Sequence, residues 1–397
     1  MQKTPSNNSL EKFNPPTIKI FDNSTEKKSR TKFVKYVDIN KYYEDAYSSD
    51  EDDESLNPTH ELTGPKLNLT ELARQITSLD DVIKLCDIPL RNFSSNNQTD
   101  LLRLKKIKQP LIELNRLIGM SDLKNKIIYQ ALYYCQDLHK IKPIDGNEDE
   151  GDLMHTVIQG PPGSGKTTVA KIIGKIYARL GVLKSDKFII AKRKDLIGEY
   201  LGQTAPRTTA VLESALNGVL FLDEAYSLGN EEKRDIYSKE CIDTINQYLT
   251  EHKRDIVVII AGYQENLKSC FFALNPGLER RFPWVYNIEK YNEKELRDIL
   301  IKQITESGWG FADNDLEKAL PLGFIKENME FFNYAGGDTE TFLNKCKLAH
   351  SQNTFGLASH QKGKLTYGDF IKGLEMHKTS KLNNKSNENS PPPFMYV

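Results

Sequence analysis

The sequence lacks several things that would each point to a function class. No apolar run approaches the length that crosses a bilayer; the longest lie near residues 256–261 and 219–222. The N-terminal stretch is polar and has no signal-peptide core. A net charge of −1 provides no global field to draw nucleic acid or an anionic membrane. The five cysteines, Cys86, Cys135, Cys241, Cys270 and Cys346, form no C-x-x-C, so buried reduced thiols in an intracellular protein are expected. The seven histidines show no H-E-x-x-H or other ligand spacing, which argues against a zinc site. Arginine is absent after Arg297. What is present suffices for a packed core: 397 residues, 38% hydrophobic and 27% charged, suggest two or three domains.

One stretch organises the rest. Gly160-Pro161-Pro162-Gly163-Ser164-Gly165-Lys166-Thr167 fits G-x-x-x-x-G-K-[ST], a phosphate-binding loop. The residues before it, 154–159, read as a strand. Those from Thr168 to Leu180 carry Val169, Ile172, Ile173 and Ile176 at helical spacing. Strand, glycine loop and helix together make the pattern a site. The glycines let the backbone wrap an anion, and the helix start favours it. Lys166 is expected to reach the β- and γ-phosphates of ATP, and the Thr167 hydroxyl to ligate Mg²⁺.

Downstream, Val219-Leu220-Phe221-Leu222-Asp223-Glu224 reads as a buried parallel strand ending in two carboxylates. Asp223 is expected to hold Mg²⁺ through water, and Glu224 to orient and deprotonate the attacking water. Strands are also expected at 187–191 and 254–263, and Thr204 as the N-cap of the helix before Gly218. Ser121 is the expected N-cap of a helix running to His139. Arg280 and Arg281, on a loop after the last strand, suit the completion of a neighbour's nucleotide site. The fold class is α/β, a doubly wound P-loop NTPase domain.

Toward the N-terminus, residues 1–65 are expected to be a disordered acidic and aromatic tail. Phe33-Val34-Lys35-Tyr36-Val37, Tyr42, Tyr43 and Tyr47 there precede the acidic block at 48–54. A solvated tail is the plainer reading and a docking segment the alternative. Residues 66–111 read as a small helical segment or linker, with helices starting near Leu69 and Leu79 and a polar linker at 92–99. A helical stripe follows through Leu101, Leu104, Ile107, Leu111, Leu114 and Leu117, interrupted at Pro110. The cations Arg103, Lys105, Lys106 and Lys108 are expected on a solvated face.

The ordered set of motifs resembles the AAA+ ATPases. Gly-Pro-Pro-Gly-Ser-Gly-Lys-Thr at 160–167, Val-Leu-Phe-Leu-Asp-Glu-Ala-Tyr at 219–226 and Asn-Pro-Gly-Leu with Arg-Arg-Phe at 275–282 carry it. Gly198-Glu199-Tyr200-Leu201-Gly202-Gln203-Thr204-Ala205 and Val257-Val258-Ile259-Ile260-Ala261-Gly262-Tyr263 are similar to the CbbX and stage V sporulation protein K (CfxQ-like) group. Tyr-Ser-Leu-Gly-Asn at 226–230 is most similar to members from large DNA viruses. The resemblance spans about residues 112–380. It implies an ATPase that forms a homo-oligomeric ring, a hexamer, and remodels or threads a protein client; the lack of an apolar span and of a net basic charge argues against a membrane or nucleic-acid partner. It implies a cytoplasmic setting, the host's for a viral member. Gly160 to Thr168 would bind nucleotide, with Ile118 and Gly119 against adenine. Arg281 would be the arginine finger, with Arg280 second, and Tyr200, Leu201 and Gly202 the pore loop.

Two positions depart from the family pattern. Gly262 and Tyr263 stand where a polar residue usually senses the γ-phosphate, with a tyrosine hydroxyl or Gln264 as possible substitutes. The lid, expected as a small all-helical domain, has Gly336-Gly337-Asp338-Thr339-Glu340 where relatives place an arginine, leaving Lys345 or Lys347 as the nearest cations. Its helices are expected from Tyr291, near 322–332, from Asp338 and from about Leu365. The division is thus 1–65, 66–111, a nucleotide-binding domain at 112–288, a lid at 289–378 and a disordered tail at 379–397. Two other functions stay open: a nucleic-acid motor or loader on the same core, and a nucleotide-dependent scaffold that hydrolyses slowly.

Overall fold

The computed structural model describes residues 35–37, 67–141, 152–229, 235–356 and 362–388. The expectations for the acidic block at 48–54 and the end at 389–397 fall outside these residues.

The apolar runs form a six-stranded sheet in the order β1-β3-β4-β5-β2-β6. Its strands are β1 (Lys35–Val37), β2 (Thr156–Gln159), β3 (Phe188–Ala191), β4 (Val219–Leu222), β5 (Val257–Gly262) and β6 (Trp284–Asn287). All pairings are parallel except that of β1 with β3. Every residue of β4 and β5 is buried, because both faces of the sheet are covered. Val219, Phe221, Val257, Ile259 and Ala261 enter one core; Leu220, Leu222, Val258 and Ile260 enter the other. This period of two is the pleat of the strands. β1 lies inside the stretch expected to be disordered. It sets Lys35 opposite Ile190 and Val37 opposite Phe188, so three residues of that tail pair the free edge of β3.

The N-terminal helices are α1 (Leu69–Arg74), α2 (Leu79–Asp87), α3 (Ser95–Lys106), α4 (Lys108–Asn115) and α5 (Ser121–Cys135). The polar stretch at 92–99 is therefore no linker: α3 begins inside it. Leu101 and Leu104 anchor that helix in the core, and Gln98 donates to the carbonyls of Leu90 and Phe93. The break in the leucine stripe falls at Ile107, with Pro110 in the first turn of α4, where its missing N–H costs nothing. α4 runs across residue 112, and its Leu111 and Leu114 share one core with the sheet residues Phe221 and Ile259. The helices of 66–111 thus pack as part of the sheet domain. Arg103 binds Asp137 and the Cys135 carbonyl, and Lys108 binds Asp87 at 2.5 Å, so these two cations meet partners within the chain. Ser121 opens α5 as its first residue rather than capping it; Met120 precedes it in a left-handed conformation. The helix stops at Cys135, short of His139, and Asp137 (φ +55°) turns the chain.

After the glycine loop come α6 (Lys166–Arg179), α7 (Thr204–Ser214), α8 (Ile236–Glu251) and the single turn α9 (Pro276–Glu279). Thr204 is likewise the first helical residue, not the cap. Its buried hydroxyl accepts from the Gly198 N–H at 3.2 Å and closes the 198–204 loop instead.

The lid consists of α10 (Glu293–Glu306), α11 (Leu322–Glu327), α12 (Ala335–Asn353) and α13 (Tyr367–Glu388). Leu296, Leu300, Phe324, Phe342 and Phe370 fill its core. The Asn292 side chain accepts the Glu295 N–H to cap α10, and the Glu295 carboxylate accepts the Asn292 N–H in return. The lid is not all-helical: β7 (Gly310–Phe311) and β8 (Lys364–Leu365) form a short parallel ladder. α12 starts at Ala335, three residues before Asp338, whose carboxylate accepts the Tyr334 N–H at 2.7 Å and so caps from within. α13 continues through the expected boundary at 378 to Glu388.

Asp369 ties α12 to α13. Its carboxylate accepts the Thr366 N–H and hydroxyl at 2.8 Å each, His350 Nδ1 at 2.8 Å and Asn353 Nδ2 at 2.9 Å. Burial alone would raise its pKa, but these donors, the Thr366 N–H foremost, hold it below the ordinary carboxylate range. The stability it contributes is therefore present at neutral pH and is lost as pH falls through that depressed value. Asp369→Ala leaves buried donors unpaired, and thermal melting at pH 7 is expected to show a lid weakened by about 2–3 kcal/mol. An unchanged melting curve would contradict this.

Candidate nucleotide-binding site

Between β2 and α6 the chain turns on Gly163 (φ +68°) and Gly165 (φ +89°), left-handed positions that side chains resist. Gly163 is also a point of close approach: a Cβ there would lie 2.2 Å from the Tyr334 carbonyl oxygen and 2.9 Å from the Gly337 nitrogen. The start of α12 is thus seated on the loop, and the Gly336 N–H donates to the Gly163 carbonyl at 3.2 Å. Lys166 is curled back, donating to the carbonyls of Gly160 at 3.0 Å and Pro161 at 2.8 Å. Burial lowers its pKa, while Asp223 and Glu224 oppose that shift. The three charged groups therefore share one site at the carboxyl edge of the sheet. Ser164 Oγ is buried with no hydrogen-bond partner, and the Tyr291 hydroxyl donates to the Ser164 carbonyl at 3.0 Å.

These features fit a nucleotide phosphate with Mg²⁺. The glycine cradle excludes Cβ atoms, an orphaned hydroxyl faces no partner, and a lysine holds only carbonyls it can give up. Thr167 and Asp223, both half-buried, carry the hard oxygen donors that Mg²⁺ takes. Pro161, Pro162 and Thr168 complete the loop and the first helical turn. Glu224 is exposed and adopts a left-handed backbone (φ +53°, ψ +45°) at the head of the turn Ala225–Leu228.

Ile118 and Gly119 lie between α4 and α5 under the lid. Gly119 (φ +67°) is hemmed in: a Cβ would come within 2.6 Å of Glu295 Oε1 and 3.2 Å of Tyr291 Cε1. Lys302 of α10 donates to the Arg116 carbonyl at 3.2 Å, joining this segment to the lid.

The two arginines differ. Arg280 is exposed. Arg281 is half-buried, and its Nε donates to Asn246 Oδ1 of α8 at 2.6 Å. It stands close enough to fully buried His155 to join burial in pushing that imidazole's pKa down to about 3. His155 precedes β2, whereas the glycine loop follows it. At about 3.3 Å per residue the two ends are roughly 16 Å apart, so Arg281 lies toward the opposite edge from its own chain's loop. Tyr200 and Leu201, 67% and 73% exposed, stand at a loop tip beside Gly202 (φ +81°).

Neither lid lysine takes the place of the missing arginine. Lys345 and Lys347 sit eight and ten residues beyond Gly337, about 12–15 Å along α12. Lys347 covers the Trp309 ring at 5.5 Å, and Lys345 lies near His377. What the lid brings to the loop is Tyr334, with Lys381 behind it, 5.8 Å from its ring and 2.8 Å from Asp338. Sequence reasoning missed Tyr334, Tyr291 and Asn246. Tyr291 and Tyr334 precede helices and Asn246 lies within α8, and none belongs to a motif that would have marked it.

The profile of the ATPase family associated with various cellular activities (AAA) matches residues 156–289. A cfxQ-like protein of Acanthamoeba polyphaga mimivirus is 36% identical over 332 residues, covering 83% of this chain and 77% of that protein. Stage V sporulation protein K of Bacillus subtilis is 36% identical over 203 residues, 51% of this chain and 61% of that protein. The chloroplastic ribulose bisphosphate carboxylase/oxygenase activase of Cyanidioschyzon merolae is 32% identical over 278 residues, 70% of this chain and 92% of that protein. With the glycine loop, the Asp-Glu strand end and the lid in one fold, the chain belongs to the AAA+ ATPases of the CfxQ, CbbX and stage V sporulation protein K group.

Proposed function

We propose that this chain is a Mg²⁺-dependent ATPase that works as a homo-oligomeric ring, a hexamer, and remodels or threads a protein client in the cytoplasm. The observation that carries the reading is the separation of the parts. Lys166, Asp223 and Glu224 share one edge of the sheet, while Arg281 lies toward the other. A subunit so built holds Arg281 away from its own γ-phosphate and offers it elsewhere, which a head-to-tail ring satisfies.

Lys166 leaves its carbonyls for the β- and γ-phosphates, where its charge acts in a site sheltered from water. Glu224 accepts the proton of the attacking water, and Arg281 of the neighbour faces the charge that develops on the γ-phosphoryl oxygens. Mg²⁺, held by Thr167 and Asp223, would neutralise β- and γ-oxygens. Ile118 and Gly119 flank adenine, and the lid contact with Gly119 couples base binding to lid position. Tyr200 and Leu201 grip the client. An exposed aromatic with no basic neighbour in 198–204 suits polypeptide better than nucleic acid. The client named for the algal relative is that protein's own.

The test is phosphate release measured beside particle mass. Turnover that rises with chain concentration together with a ring-sized particle supports the reading; full turnover by a monomer contradicts it. Tyr200→Ala is expected to keep basal hydrolysis within about twofold and to lose stimulation by an unfolded polypeptide. Intact stimulation in that variant would remove the pore loop from the account.

A further inference from the structure

We propose that Tyr226 is a positioning residue for Glu224, supplying from the turn after β4 the polar group that the end of β5 lacks. This rests on the reading of Glu224 as the base in ATP hydrolysis.

Gly262 ends β5 without needing a glycine's backbone, since its φ is not positive. It needs the empty space. A Cβ at Gly262 would lie 2.9 Å from Tyr226 Cδ1 and 3.1 Å from both Leu267 Cδ2 and Cγ. The ring of Tyr226 thus occupies the volume that a side chain at the strand end would fill. Tyr226 and Glu224 belong to one closed turn: the Ser227 N–H donates to the Glu224 carbonyl at 2.8 Å, and the Gly229 N–H to the Tyr226 carbonyl at 3.1 Å. The Tyr226 hydroxyl stands close enough to the Glu224 carboxylate for that charge to oppose its ionisation. Burial first, and that carboxylate second, disfavour the ionised phenol, so the hydroxyl is a neutral donor.

A carboxylate on an exposed side chain with a left-handed backbone has few restraints of its own. A donor on one oxygen fixes its plane and leaves the other oxygen for water. The restraint also reaches the lid. Tyr226 packs on Tyr263 with ring centroids 5.8 Å apart, and the Lys166 ammonium lies 5.7 Å from the centre of the Tyr263 ring. Tyr334 stands close enough to Tyr263 to oppose its ionisation, and its carbonyl rests on Gly163. Tyrosines from the lid, the residue after β5 and the β4 turn thus stand near one another between the lid and the base.

The test uses the full chain with ATP and Mg²⁺. Tyr226→Phe keeps the ring and removes only the hydroxyl. It is expected to lower kcat about tenfold or more while KM, the dissociation constant for ATP and the melting temperature stay unchanged. Gly262→Ala, which pushes the ring from its seat, is expected to give the same split with Tyr226 in place. A Tyr226→Phe chain with kcat within about twofold of the unaltered one overturns the inference and leaves the ATPase reading standing. A loss of kcat matched by an equal loss of ATP affinity also overturns it, because the ring would then only be packing. An unaltered chain that releases no phosphate overturns both.

Discussion

Glu224→Gln is expected to bind ATP as tightly as the unaltered chain and to release phosphate about 10²–10⁴-fold more slowly. Glutamine keeps the length of the side chain and an oxygen that can accept from Tyr226, but it cannot take a proton from water. The substitution removes one function and little volume, at a residue that is exposed and outside both cores. Each tenfold corresponds to about 1.4 kcal/mol, so about 3–6 kcal/mol of barrier is assigned to this carboxylate. Phosphate release and nucleotide titration on the same preparation check it. Equal turnover in both proteins would mean that Glu224 is not the base, and would favour a nucleotide-dependent scaffold.

Arg281→Ala is expected to reduce turnover by about 10³-fold or more with nucleotide affinity retained, the scale an arginine finger provides in related phosphoryl transfer. Arg280→Ala is expected to keep most of the activity. The contrast follows from local structure. Asn246 fixes the Nε of Arg281 and leaves the rest of the guanidinium fork for a partner, whereas the exposed side chain of Arg280 has no comparable restraint. Lysine at 281 is not an equivalent replacement, because a point charge cannot both hold Asn246 and present a planar fork. Steady-state kinetics with ATP titration checks both variants.

The phosphate loop, the Asp-Glu strand end and the parallel sheet were legible because each is a local pattern with a fixed physical cause. A buried parallel strand must be apolar throughout, and the phosphate loop must have glycines. Helix starts were read one residue off at Ser121 and Thr204, since polar residues there are equally able to open a helix or to bond elsewhere; Thr204 turns back to Gly198. The polar run at 92–99 was misread because two leucines further along, Leu101 and Leu104, decide the helix through tertiary burial. β1 was missed because three residues gain strand structure only from the edge of β3. The departure at Gly262-Tyr263 was visible as an oddity, but its cause was not. The ring that explains it comes from Tyr226, thirty-six positions earlier in the chain. The lid showed the same limit: the absence of arginine after Arg297 was plain, while Tyr334 against the loop is a matter of packing alone.

The central claim is that the active site is shared between neighbours. Its most direct test is complementation between two inactive chains, Lys166→Ala, which lacks the phosphate lysine, and Arg281→Ala, which lacks the donated arginine. In an equal mixture about a quarter of the interfaces in a head-to-tail ring join an intact Lys166 to an intact Arg281 across the boundary. Each variant alone is expected to release almost no phosphate, and the mixture to recover a substantial fraction of the unaltered rate. A mixture that stays as silent as its components, or an Arg281→Ala chain that turns over normally by itself, would contradict a site built from two subunits.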